Sequence, residues 1–591
     1  MEKRKRGKSE EKGEEKWVHD ASVDYKGRVP LRASTGVWKA SLFVLAIEFS
    51  ERICHFGIAT NLIMYLTKVM HEDLKTATKN VNYWVGATTL MPLIGGFVAD
   101  AYTGRFRMVL FSSLLYLKGL SLLTMSQFIP SLKPCNNEIC HWPRKVHEVV
   151  LFLALYCVAL GTGGFKPCLQ SFGADQFDDD HLEERKKKMS FFNWWNFTLC
   201  TAMLLGATVI VYVQDFVSWG VSYLILSMFM ALTIIAFYEG KRFYRYRSTE
   251  GNPFMLILQV LIAAIRKSNL SCPSNPDSLY EFPKSEKSQG RLLSHTCRLR
   301  FLDKAAIVEG KYTEHRDQNP WRLATVTRVE ETKLILNVIP IWLTSLIIGI
   351  CIAQGSTLFV NQAASMNLKI INSFKIPPAS MTSVSAISPI IAIPIYDKII
   401  VPIMRKVKGN ERGISVLWRV GIGLAFLVIA MVVAALVETK RLRMVEHDEV
   451  ITVGGTRHET MSVLWLIPQY LILGIGADSL SLIGLQEYFY DQVPDSVRSL
   501  GVGLYLSVVG VGFFLSSFLI ITVDHVTGKN GKSWIAKDIN SSRLDKFYWM
   551  LAVINAFNLC FFLFLAKGYT YKTVQRKTRE ICSDGVETME S

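Results

Sequence analysis

The amino-acid sequence predicts an all-α polytopic membrane protein, with twelve spanning helices in two sets of six. Three observations carry that prediction. Half of the 591 residues are hydrophobic and the mean hydropathy is +0.24, too apolar for an ordinary soluble chain of this length. The apolar residues gather in blocks of about 20 or more, the length of helix that a hydrocarbon core of about 30 Å requires. One long polar stretch then parts the blocks into two equal groups.

In chain order, a charged tail (1–37) precedes a first set (38–238) with spans at 38–66, 81–101, 107–128, 146–171, 190–213 and 217–238. A linker (239–332) follows, and then a second set (333–567) with spans at 333–358, 378–401, 413–437, 461–487, 499–523 and 546–567, before a polar tail (568–591). The linker contains "SCPSNPDSLYEFPKSEKSQG", which reads as mobile, and "PFMLILQVLIAAIRK", which reads as one amphipathic helix. The opening "MEKRKRGKSEEKGEEKW" has no apolar run after its charges, so no cleavable signal peptide is expected.

The net charge of +16 does not point to nucleic acid, because the basic residues lie between apolar blocks rather than in a folded domain with interleaved aromatics. "TGRFR", "ERKKK" and "MRKVKGNER" follow spans two, four and eight, so the positive-inside rule puts both tails and the linker in the cytoplasm. Cys54, Cys157, Cys168, Cys200, Cys351 and Cys560 lie in apolar blocks, where a thiol packs as a small hydrophobe. Cys135 and Cys140 fall in an outer loop, where a disulfide is permitted, and Asn540 in "NSS" is an outer glycosylation candidate. No paired metal-binding histidines, no GxSxG and no phosphate-binding glycine loop is present, so neither an enzyme, a cofactor nor a metal is expected.

Ionised groups at bilayer depth cost roughly 2.5 to 3.5 kcal/mol each and mark functional interiors. The first span contains three, in "FVLAIEFSERICHFGIATNLIMYL". Glu48 and Glu51 are three apart and Glu48 and Arg52 four apart, so all project from one side of a helix and the carboxylates share one guanidinium. One negative charge is left over, and a proton on either carboxyl neutralises the group. A static polar staple between helices does not need that surplus. Lys166 in "GTGGFKPCLQSFGADQFD" and Asp478 in "LGIGADSLSLIGLQEYF" are further embedded charges, whereas Lys118 reads as a structural charge that reaches polar partners. Gly161, Gly163, Gly164 and Pro167 beside Lys166 allow the fourth span to bend or to approach a neighbour closely. His55 reads either as titrating with the trio or as an interior hydrogen-bonder, and Trp194 and Trp195 as cavity walls or interfacial anchors.

These residues resemble a known family. "EFSER" looks like the ExxER motif, and "GFKPCLQSFGADQFD" with "FFNWWNFTLC" resembles the two signatures of proton-coupled oligopeptide transporters. "GGFVADAYTGR" is similar to a loop motif of the major facilitator superfamily, and "NWWNF", "PQYLILGIGAD" and "GLQEYFYDQVP" read like the plant nitrate and peptide transporters. The resemblance covers 38–568. It implies a major facilitator fold that rocks about a central site, with Glu48, Glu51 and Arg52 as the proton-coupling group and Lys166 and Asp478 as substrate-binding residues. Asp100, Gly104 and Arg105 would form a cytoplasmic latch between the second and third helices. Two departures bear on substrate: His55 and Phe56 stand where peptide carriers have tyrosines, and Ile352 stands where a nitrate-binding histidine is found. The expected partners are protons, a small anionic solute, nitrate or di- and tripeptides, and the bilayer itself, which is the plasma or vacuolar membrane.

Overall fold

The structure is a computed structural model that describes residues 17–18, 22–134, 145–178, 181–247, 253–271, 279–280, 295–296, 299–308, 319, 321–371, 374–408, 414–451, 461–493, 498–528 and 533–569. Twelve long helices make up its body. α1 is Val37–Ala59. The others are α2 Leu74–Thr103, α3 Arg105–Phe128, α4 Lys145–Ala174, α5 Glu183–Phe216, α6 Trp219–Arg242, α7 Val326–Ala364, α8 Pro378–Val407, α9 Val416–Val445, α10 Val463–Phe489, α11 Gly503–Gly528 and α12 Leu544–Lys567. Helices α2 to α12 are long and apolar enough to cross a membrane. α1 has the length as well, and its hydropathy is lowered by the charged trio.

Each set of six buries its own apolar core. One core gathers Val44, Trp84, Leu120, Val158 and Met230 from the first set; the other gathers Ile348, Leu427, Tyr470, Val508 and Leu551 from the second. Small residues set how closely the helices approach. A Cβ at Gly161 would strike the backbone of Tyr116 on α3, and one at Gly163 would strike Met91 on α2. The glycine run beside Lys166 therefore wedges an unbroken α4 between two neighbours, the close-approach alternative of the sequence reading. Between α2 and α3 the chain turns on Gly104, whose φ of +76° suits glycine.

The bundles meet mainly through α2 and α11. Gly86 abuts Phe514, and Gly503 takes up Leu93 further along. At the end assigned to the outside, Lys75 Nζ pairs with Asp524 Oδ2 at 2.5 Å. Val360 and Ala379, from the second set, are buried in the core of the first.

The described parts of the linker are packed, and they include a helix at the stretch read as amphipathic. A helix at Pro253–Arg266 and a 3-10 turn at Arg300–Ala306 share a small core through Val260, Ala263, Leu302 and Ala305, closed by Val329 of α7. Asp303 and Glu330 flank the Lys333 ammonium at 2.7 and 2.8 Å. His295 joins those two acids in a cluster with metal-ligand spacing, in which the Lys333 ammonium already bridges both carboxylates. Much of "SCPSNPDSLYEFPKSEKSQG", along with Cys135 and Cys140, lies outside the described residues.

Candidate functional site

α1 turns Glu48, Glu51 and Arg52 inward. Glu48 and Glu51 are fully buried. Arg52 donates from Nε to Glu48 Oε1 at 2.6 Å, and the same nitrogen lies 3.6 Å from Glu51 Oε2. Glu48 Oε2 and both oxygens of Glu51 are buried with no hydrogen-bond partner. Buried carboxylate oxygens left unpartnered carry their full desolvation penalty. A proton on one carboxyl turns an acceptor without a donor into a donor and removes the surplus charge.

Lys166, from α4, lies within electrostatic reach of Arg52, Glu51 and Glu48, yet it makes no hydrogen bond or ion pair among the described residues. The Tyr116 hydroxyl from α3 is also buried without a partner, within electrostatic reach of Glu51 and Arg52. His55 stacks on Trp84 with ring centroids 6.0 Å apart, and its Nδ1 is unpartnered.

Asp478 comes from the other bundle. It sits in a π-helical stretch of α10, Ile475–Leu482, and accepts from Ser385 Oγ of α8 at 3.2 Å. Irregular turns of this kind recur at functional sites. Tyr505 on α11 bridges the halves, within electrostatic reach of both Asp478 and Arg52. The trio, Lys166 and Asp478 thus gather between the bundles, with two cations on one side and an acid on the other.

Of the latch residues, Gly104 makes the α2–α3 turn, and Arg105 pairs with Asp175 at 2.5 Å, just beyond α4. The side chain of Asp100 lies outside the described ones. Burial holds the Asp175 carboxyl above the usual range, against the pull of Arg105 and Arg247.

Other sequence candidates take different places. Lys118 is exposed on α3 and makes no hydrogen bond or ion pair among the described residues; Trp195 is buried and Trp194 exposed. The six cysteines in apolar blocks are all free. Asn540 Oδ1 accepts from Arg441 Nη1 at 2.7 Å, so the amide of the glycosylation candidate is engaged in the protein. Tyr116, Tyr505 and Ser385 escaped the sequence reading because neutral hydroxyls in apolar runs give no signal until the fold aims them.

Two six-helix bundles around a charged interior define a multi-pass membrane carrier. Residues 106–536 match the model of the POT family, and the chain belongs to that family. It is 54% identical to "Protein NRT1/ PTR FAMILY 5.6" of Arabidopsis thaliana over 564 residues, covering 95% of this chain and 96% of the relative. Against "Protein NRT1/ PTR FAMILY 5.7" of the same plant it is 53% identical over 582 residues, covering 98% and 96%. Among solved structures it resembles an auto-inhibited POT family peptide transporter, with a TM-score of 0.67 at 16% identity, covering 91% of this chain and 99% of that one. A POT family transporter in complex with 5-aminolevulinic acid matches with a TM-score of 0.59 at 12% identity, covering 89% and 96%. The fold is accordingly the major facilitator fold, and the protein is a membrane transporter.

Proposed function

We propose that this chain is a proton-coupled symporter of a small anionic solute, working by alternating access in a plasma or vacuolar membrane. The observation that supports it best is the trio, where three of four carboxylate oxygens lie buried and unpartnered around one guanidinium. In this reading a proton from the outer side settles on Glu48 or Glu51 and loosens the hold on Arg52. Arg52 and the unpaired Lys166 then take the anion. Coupling requires that proton and solute favour the same bundle arrangement. Lys75–Asp524 and the buried Val360 and Ala379 would be the contacts that part when the outer end opens.

Nitrate is the first candidate, since two cations and no obligatory amine partner suffice for it. Di- and tripeptides are the second, favoured by Asp478 facing those cations across the interface, where it can hold a free amine. Uptake into proteoliposomes under an imposed pH gradient tests the coupling. Wild type is expected to accumulate solute, and Glu51→Gln to equilibrate it without accumulation. Accumulation preserved in Glu51→Gln would overturn the assignment, and flux independent of pH in wild type would leave an uncoupled facilitator of organic anions or hormones. Saturable ligand binding without flux would instead mark a receptor.

A further inference from the structure

We infer that the linker helix Pro253–Arg266 is docked on the cytoplasmic leaflet of the host bilayer through an apolar stripe that the described residues leave exposed. The helix has more apolar surface than its protein contacts use. Ile257, Val260 and Ala264, at i, i+3 and i+7, face protein: Val260 and Ala264 join the linker core, and Ile257 packs against the buried pair Ile335 and Val493. A second stripe runs beside the first. Met255, Leu258 and Ile265, at i, i+3 and i+10, are 40%, 47% and 70% exposed, and Ile262 at i+7 continues the same line. Phe301, on the 3-10 turn packed against this helix, adds a ring that is 53% exposed. Gln259 and Arg266 supply the polar edge. Contiguous exposed apolar surface of this kind marks an interaction site.

Depth identifies the occupant as lipid. Ile335 follows Lys333, the last charge before the apolar run of α7. A helix packed against Ile335 lies level with the cytoplasmic edge of the hydrocarbon. Arg266 is exposed at the margin of the stripe and donates to the Trp321 carbonyl at 3.5 Å, placing a cation where lipid headgroups would be. An amphipathic helix that buries its apolar side to the acyl boundary, with basic residues at the rim, is the arrangement that binds a membrane surface in its plane.

The test uses the full chain, with a fluorescent amino acid placed in turn at Leu258, Ile265 and Gln259 and the protein reconstituted into liposomes with brominated acyl chains. The signals at Leu258 and Ile265 are expected to be quenched about twofold or more strongly by brominated lipid than that at Gln259, and to resist aqueous iodide. Quenching of both by iodide and not by brominated lipid would overturn the inference by showing a stripe open to water. Protection from both quenchers would overturn it as well, by showing that protein covers the stripe. Solute uptake by each labelled protein reports that it is folded, and the readout does not depend on proton coupling.

Discussion

Each bundle buries a carboxylate–arginine group on a single helix, and the two groups are finished differently. On α9, Arg441 donates to Glu438 Oε1 from Nη2 at 2.7 Å and to Oε2 from Nε at 2.8 Å, and Gln362 adds a donor to Oε2 at 2.8 Å. Asn540 and the Ile539 carbonyl take up the rest of that guanidinium, so one acid and one base close upon each other with both carboxylate oxygens satisfied. On α1, two acids share one base and three oxygens accept no hydrogen bond among the described residues. A completed pair holds its geometry whatever the proton supply, whereas an incomplete one changes partners when a proton arrives. Burial is alike in the two places; the difference is in stoichiometry, and with it in net charge.

That contrast can be broken first at the completed pair. Arg441→Met leaves Glu438 buried and uncompensated, and a loss of about 3–5 kcal/mol is expected, read as a lower melting temperature in nanodiscs while the surviving protein keeps its pH-dependent uptake. A change in the pH profile instead would make the pair part of the coupling. At the incomplete group, Lys166→Met removes a cation that makes no hydrogen bond or ion pair among the described residues, so stability should hold while KM rises on the order of tenfold. A marked fall in melting temperature would recast Lys166 as a structural charge.

A third comparison lies at the outer end, where Glu72 sits between α1 and α2. Burial, joined by Glu148 and Asp73, pushes its carboxyl up to about 7, although Asn80 donates to it. Its folded value exceeds the unfolded one, so its contribution to stability is full below about 4.5 and is lost as pH rises through about 7. Glu72→Gln is expected to flatten the dependence of melting temperature on pH across that window; an unchanged slope would remove Glu72 from it. The smallest effect belongs to Lys75→Ala. Its half-exposed pair with Asp524 contributes no more than about 1 kcal/mol, so the expected result is modestly greater labelling of the interior from outside.

The α1 trio was legible in the sequence because ionisable residues inside an apolar run have no ordinary explanation, and the same signal marked Lys166 and Asp478. The α9 pair was missed for the opposite reason. "VETKRLR" stands at the end of its span, where charges normally meet water, and only α9 continuing to Val445 carries Glu438 and Arg441 into the interior. Helix centres were readable from hydropathy, but ends were not, since polar residues such as Lys75 and Asn82 in the first turns of α2 find partners on α11 that no local pattern shows. Lys118 was misread because a lysine in an apolar block signals cost without telling which way it points. The linker hid its packing in the same way, as its core draws on segments far apart in the chain and on α7.

The proton itself can be followed by infrared difference spectroscopy of the reconstituted protein during a pH titration. A carbonyl band from a protonated carboxyl should appear as pH falls in wild type, vanish or shift in Glu48→Gln and Glu51→Gln, and persist in Glu438→Gln. A titrating band that survives in both α1 variants, or one that disappears only in Glu438→Gln, would contradict the distinction between an incomplete charge group that takes up the proton and a completed one that does not.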